Sequence, residues 1–333
     1  MHAMWLGVLV LVAGACGPGP DRAVQKGGAG LEQARETTAA ERLETDVTLL
    51  ATTYADRNVS DPETLEAAGV MLERALVGMG YEPEREAFEL GDAGIVFNIV
   101  VEIPGESDDI VVVGAHYDAA EGTPGADDNA SGVAGVLELA RRFADREGSL
   151  ERTLRIVFFT TEEPPHFRMG TMGSLVHARA SAERGDAIAA MISVEMIGYF
   201  DDEPGSQRYP AMPGVKAAEG LPDVGDFIGL VTRLEDGELL ERIVETMRAD
   251  ERLAVMSMAL PGYISGVGWS DHWSFWQAGY PAVMVTDTAF ARNPNYHQAT
   301  DTPGTLDYER MALVVDGIER AVMDLLGTSA LEP

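Results

Sequence analysis

Apolar residues fall into two patterns that take turns along the chain, short unbroken runs and stripes at helical spacing. Ile110–Ala115 is an unbroken run, and Leu154–Thr160, Ala187–Val194, Phe227–Thr232 and Pro281–Thr286 repeat it. Runs of this kind predict strands buried on both faces, as in a parallel sheet. Arg85–Leu90 and Ile95–Ile103 predict a further β-pair. Between the runs lie stripes. Leu43, Val47 and Leu50 predict a first helix, and Asp61-Pro62 opens a second, with Asp61 as N-cap and Pro62 in the first turn. That second helix carries Leu65, Leu72, Leu76 and Met79 on one face and stops at Gly80. Ser131–Asp145 carries Val133, Val136, Leu137, Ala140 and Phe143; further helices are predicted around Gly173–Ala182, over Gly237–Asp250 and over Leu306–Leu326. The polar, Pro/Gly-rich stretch 201–223 reads as a long loop or small insertion, and no internal repeat is visible. The alternation predicts a three-layer α/β/α sandwich around a mostly parallel central sheet.

The N-terminus departs from this pattern. Ala3–Ala15 is an uninterrupted run of apolar residues and glycine, too short to span a bilayer comfortably and suited to the core of an export signal. The single cysteine, Cys16, follows in Ala-Gly-Ala-Cys, which looks like a bacterial lipoprotein processing site; an ordinary signal with a stray cysteine is the other reading. Residues 1–16 are therefore expected to be a signal peptide, 17–40 a Gly/Ala-rich tether and 41–328 the folded domain. The expected location is periplasmic, on the outer membrane as a lipoprotein, or secreted. One cysteine excludes an intrachain disulfide.

Charge narrows the partners. With 24 basic and 55 acidic residues the formal net charge is −31. Such a chain repels nucleic acid and anionic membrane surfaces, leaving a lipid at Cys16 as the one expected membrane contact. The sequence leaves the oligomeric state open.

Chemistry gathers where the apolar runs end. The first leads into His116 and, across a Gly/Pro-rich loop, Asp128; the second into Glu162-Glu163; the third into Glu195; the last, through a loop, into Tyr296-His297. Any one of these is ordinary. Together they would place several carboxylates and two imidazoles at one sheet edge, where uncompensated charge is costly. Imidazole with carboxylate is a ligand set for divalent metals.

The motifs AHYD, GADDNASG, TEE, SVEMIGY and the tail from SDHWSFW to YHQATDTPGTLD resemble the M28 family of zinc exopeptidases, over about residues 41–326. The resemblance implies two zinc ions per chain and peptide substrates. By it, Asp128 would bridge both ions, His116 and Glu195 would complete one site, and Glu163 and His297 the other. Glu162 would be the general base and Tyr296 a donor to the oxyanion, with Asp118 accepting the second ring N–H of His116. Two features depart from many relatives: Glu195 in place of Asp, and Pro164-Pro165-His166-Phe167 where a short Gly-rich turn is usual.

The remaining candidates are weaker. His166 reads as a loop histidine that could touch substrate, His177 as half-buried structure, and His272 in the Ser270-Asp271-His272 triplet as a supporting residue, with Ser270 capping a helix. Trp269, Trp273, Phe275 and Trp276 read mainly as core, one or two of them lining an apolar pocket. The reading reached is an aminopeptidase preferring apolar N-terminal residues. Its alternatives are a one-zinc glutaminyl cyclase, a carboxypeptidase using a cation such as Arg168, Arg208 or Arg292, and a non-catalytic binding domain.

Overall fold

Among the described residues the first helix lies where the first apolar stripe predicts it. In the computed structural model, which describes residues 37–91, 94–209 and 221–327, Thr38 caps helix α1 (Ala39–Thr48) by accepting the Glu41 N–H. A wider turn, Leu49–Thr53, continues it. The expected signal, Cys16 and most of the tether lie outside the described residues. Asp61 caps α2 (Pro62–Gly78) through the Thr64 N–H, with Pro62 in its first turn as predicted.

Strands and helices then alternate: β1 (Glu84–Glu89), β2 (Ile95–Ile103), β3 (Ser107–His116), α3 (Gly132–Phe143), β4 (Arg152–Phe159), α4 (Gly173–Arg184) and β5 (Ala187–Val194). Beyond residue 221 come β6 (Phe227–Arg233), α5 (Gly237–Met247), β7 (Ala254–Leu260), α6 (His272–Gln277), β8 (Ala282–Thr286), the short α7 (Ala289–Arg292) and α8 (Tyr308–Leu325). The strands form one sheet in the order β1-β2-β4-β3-β5-β8-β6-β7.

The sheet is mixed. Its centre, β4-β3-β5-β8, is parallel, while β1/β2, β2/β4 and β6/β8 are antiparallel and β7 runs parallel to β6. Strand β7 is not among the predicted strands: it lies at the edge and only one of its seven residues is buried, so no buried run marks it. In the centre, alternate residues serve opposite layers. Val111 and Val113 face the core under α1, α2, α3, α5 and α8, while Ile110 and Val112 face the smaller core under α4 and α6. Each such side chain contributes about 1.5–3 kcal/mol by leaving water.

The crossovers carry the site. From β3 the chain passes through α3 to β4 on one side, then through α4 to β5 on the other. The carboxyl ends of β4, β3 and β5 therefore open side by side at a switch point of the topology, where such sheets form their clefts.

Candidate metal centre

His116 ends β3 with no exposure at all. Its Nδ1 lies 3.2 Å from the carbonyl of Asp118, which can only accept, so Nδ1 carries the proton and Nε2 turns inward. There Nε2 meets Asp128 Oδ1 and Glu195 Oε2, each at 3.4 Å. Burial lowers the imidazole pKa, but the Glu195 and Glu162 charges outweigh it and raise it well above the usual range. The Asp118 carboxylate, expected to accept from the same ring nitrogen, stands beside it and supports the raised pKa. It lies 3.5 Å from Nδ1 and also accepts the backbone N–H groups of Glu162 (3.1 Å) and Glu163 (3.0 Å). The end of β3 thereby positions the end of β4.

Asp128 stands between two groups. Its Oδ1 faces His116, and its Oδ2 lies 3.1 Å from His297 Nε2. His297 Nε2 is in turn 3.4 Å from Glu163 Oε2. Two sets of donor atoms, His116/Asp128/Glu195 and Asp128/Glu163/His297, each gather within 4.8 Å. Asp128 belongs to both. Asp301, on the loop before α8, accepts the N–H groups of Asp127 and Asp128 (2.9 and 3.2 Å) and so orients that loop. Arg57 is fully buried and spends its donors on the carbonyls of Tyr117, Pro124 and Gly125 at 2.7–2.8 Å. Burial lowers its pKa to about 10 against the support of Asp118 and Asp301, so it remains a cation. Gly125 has to be glycine: its φ is +60°, and a Cβ would lie 2.5 Å from the Asp128 carbonyl.

Glu195, at the end of β5, is held from two sides. Ser270 Oγ donates to its Oε2 at 2.7 Å, and the Asn129 amide reaches the same oxygen at 3.4 Å. Ser270 therefore does not cap a helix as predicted; α6 begins two residues later, with no side-chain cap. Gly132 lets Asn129 approach, because a Cβ there would lie 2.3 Å from Asn129 Oδ1.

A cation fits this donor set. His116 Nε2, Asp128 Oδ1 and Glu163 Oε1 are buried without hydrogen-bond partners, which native interiors rarely tolerate. Burial raises the pKa of Glu162, Glu163 and Glu195, so this interior asks for positive charge. Neutral imidazole with carboxylate oxygens suits zinc. Glu162 belongs to neither set, its Oε2 standing 3.9 Å from His116 Nε2. Tyr296 stacks on His297 at 4.0 Å; burial and the Asp128, Glu163 and Glu162 charges raise its pKa, so the phenol keeps its proton. Backbone strain concentrates here too. Thr161, Met196 and His297 all have φ of +50° to +56°, and each sits at or beside one of these carboxylates or imidazoles.

Other candidates lie elsewhere. His166 bonds to Thr171 (2.8 Å), and His177 is buried against Glu86 (2.9 Å). His272 faces the core, 2.8 Å from the Val267 carbonyl and edge-on to Trp276. Phe275 and Trp276 are core, whereas Trp269 is 39 % exposed against Phe290. Arg292 is committed to the carbonyls of Gly225 and Phe227, and borders, with Arg208, Tyr199, Tyr209 and Phe290, a cavity of about 500 Å³. Arg57, Asp301, Asn129 and Ser270 were not foreseen in these roles. Their partners lie 65 or more residues away for Asn129, Ser270 and Asp301, and 60 or more for the Arg57 bonds to Tyr117, Pro124 and Gly125, so no local pattern announces them.

Known proteins resemble this arrangement. The model of peptidase family M28 matches residues 98–322. The chain is 40% identical over 287 residues to the uncharacterized protein YfbL of Escherichia coli (strain K12), covering 84% of this chain and 86% of that one. It is 29% identical over 232 residues to leucine aminopeptidase 1 of Uncinocarpus reesii, covering 65% of this chain and 51% of the relative, about half its length. Among solved structures, the zinc aminopeptidase BSAP from Bacillus subtilis superposes with a TM-score of 0.67 at 14% identity, over 90% of this chain and 98% of that one. The Porphyromonas gingivalis glutaminyl cyclase superposes with a TM-score of 0.63 at 19% identity, over 87% of this chain and all of that one. Both likenesses concern the fold alone.

Proposed function

The chain belongs to peptidase family M28, and from that premise we propose that it is an aminopeptidase that removes N-terminal residues from peptides with two zinc ions. One observation carries the proposal: the two oxygens of Asp128 face two separate donor sets, one completed by His116 and Glu195, the other by Glu163 and His297. When bound, the ion pair supplies Lewis acidity toward the peptide carbonyl and lowers the pKa of water. The remaining work falls to side chains. Glu162 takes the proton of the attacking water and returns it to the departing amine; its burial, with the Glu195 and Glu163 charges, raises its pKa in the direction a base needs. The Tyr296 hydroxyl, kept protonated by its acidic surroundings, donates to the oxyanion. Trp269, 39 % exposed and edge-on to Phe290, would offer the substrate an apolar wall favouring Leu, Met or Phe at its N-terminus.

The cyclase reading needs one ion only, and the completeness of both donor sets around Asp128 weighs for hydrolysis. A panel of aminoacyl chromogenic amides, assayed with chelator and after zinc is restored, tests the proposal. Chelator-sensitive cleavage of Leu amides with two zincs per active chain is expected. Full activity with one zinc per chain, accompanied by cyclisation of glutaminyl peptides, would overturn it.

Export, with Cys16 as a lipid anchor, completes the proposal, supported by the apolar run Ala3–Ala15 ahead of Cys16. Membrane fractionation of the native chain and of Cys16→Ala tests it. Both chains appearing in the soluble fraction would count against the anchor.

A further inference from the structure

Between Glu163 and α4 the chain makes a loop that offers the centre no ligand. It is bonded to itself: the His166 N–H donates to the Glu163 carbonyl (3.0 Å), that of Met169 to His166 (2.8 Å) and that of Met172 to Met169 (3.1 Å). Arg168 sits on this loop at φ +58°, a left-handed conformation that costs a residue bearing a Cβ about 1–2 kcal/mol. Its N–H is held at 3.3 Å by the Met172 sulfur. The guanidinium lies over the rings of Trp273 (5.1 Å) and Phe167 (5.3 Å), and its Nη2 donates to the Gly268 carbonyl at 2.8 Å.

Among the described residues Arg168 makes no ion pair, although acidic residues outnumber basic ones 55 to 24. The residue is exposed, and the Gly268 carbonyl takes only one of the five N–H donors of its guanidinium. Its loop starts at Glu163, whose carbonyl accepts the His166 N–H, and Gly268 stands two residues before Ser270, the donor to Glu195. A strained backbone, a stacked stem and a fork with donors to spare thus hold a cation on the loop that leaves the Glu162-Glu163 pair. Strain that surroundings enforce so specifically is a mark of function.

We propose that Arg168 binds the carboxylate of the departing residue, so that the enzyme prefers dipeptides. The inference rests on the peptidase reading above. Because Glu162 hands its proton to the leaving amine, the residue carrying that amine lies on the Glu162 side. In a dipeptide the free carboxylate follows that amine after a single carbon, and a guanidinium fork matches a carboxylate with two parallel hydrogen bonds. A longer peptide presents a neutral amide at the same place. An Asp side chain in the departing residue carries the same chemistry, so the test separates the two sources.

The experiment compares kcat/KM for Leu-Ala, Leu-Ala-amide and Leu-Asp-amide on the zinc-loaded protein. Leu-Ala is expected to exceed Leu-Ala-amide by tenfold or more, mainly through KM. That ratio should collapse toward one in Arg168→Met, which keeps a stem over Trp273, and survive in part in Arg168→Lys. Should Arg168→Met fail to fold, the same ratio in the unaltered protein must fall as salt screens the pair. A ratio near one, a ratio unmoved by Arg168→Met, or an advantage confined to Leu-Asp-amide would overturn the inference. Cleavage of Leu-Ala-amide carries the peptidase reading independently, so a ratio near one removes only the preference for dipeptides, whereas no cleavage of any of the three removes both.

Discussion

The two sides of Asp128 hold the same donor types on different kinds of backbone. His116 and Glu195 end parallel neighbours β3 and β5, with side chains 1% and 4% exposed, and Ser270 and Asn129 both donate to the Glu195 carboxylate. Glu163 is equally buried at 4%, but its partner His297 comes from a loop, is 34% exposed and holds a left-handed backbone. One side is built into the sheet. The other is closed by a residue that must be brought in and kept there. The buried side should therefore hold its ion more tightly, and the open side should exchange first.

The largest effect should come from removing what the two sides share. Asp128→Asn takes the neutralising charge from both sets at once, and the expected outcome is loss of both zincs, loss of activity and a lower melting temperature. Metal analysis showing unchanged stoichiometry would remove Asp128 from the bridging position. Glu162→Gln should cost on the order of 10²–10⁴-fold in kcat with both ions retained, because only proton transfer is lost. Glu163→Gln should instead empty the open side. Zinc lost from the first variant and kept in the second would reverse the two roles.

Graded chelation tests the comparison itself. One zinc should leave well before the other, and His297→Ala should abolish the early step alone. Ser270→Ala should weaken the later-leaving ion about 10–100-fold, the usual effect of removing a hydrogen bond to a ligand. Simultaneous loss of both ions would erase the distinction between the sides.

An effect on stability and not on the reaction concerns acid behind the buried side. Burial lowers the pKa of His272 to about 4. Between its ordinary value and that one, the unfolded chain takes up a proton the folded chain refuses, so stability falls as pH falls. The span from about 6.5 to about 4 is worth on the order of 3 kcal/mol. His272→Asn should lose less stability than the native chain over that range in urea titrations; parallel curves would show that His272 is not depressed.

The sheet and most of the centre were legible because a parallel sheet writes its ligands at the ends of apolar runs. His116, Glu162, Glu163 and Glu195 could each be found by reading where such a run stops. His297 was harder: it lies a loop away from the end of its run, and only the family resemblance gave it a partner. The supporting residues were hidden for another reason. A hydrogen bond from Ser270 to Glu195 leaves no trace at either position, and Ser270 read alone is a helix cap. The edge strand β7 escaped because one covered face gives weaker patterning than two.

Arg57 lies upstream of the segment that the family model matches, yet it closes the loop that delivers Asp128. Coupling between two parts of a protein is reciprocal. Cations that steady the Asp128 loop must also slow the opening of the helices on either side of Arg57, so amide exchange along α1 and α2 becomes a distant gauge of how fully the centre is loaded. A chain trimmed to the matched residues alone would keep all five side chains of the two donor sets and lose the guanidinium that holds their loop shut.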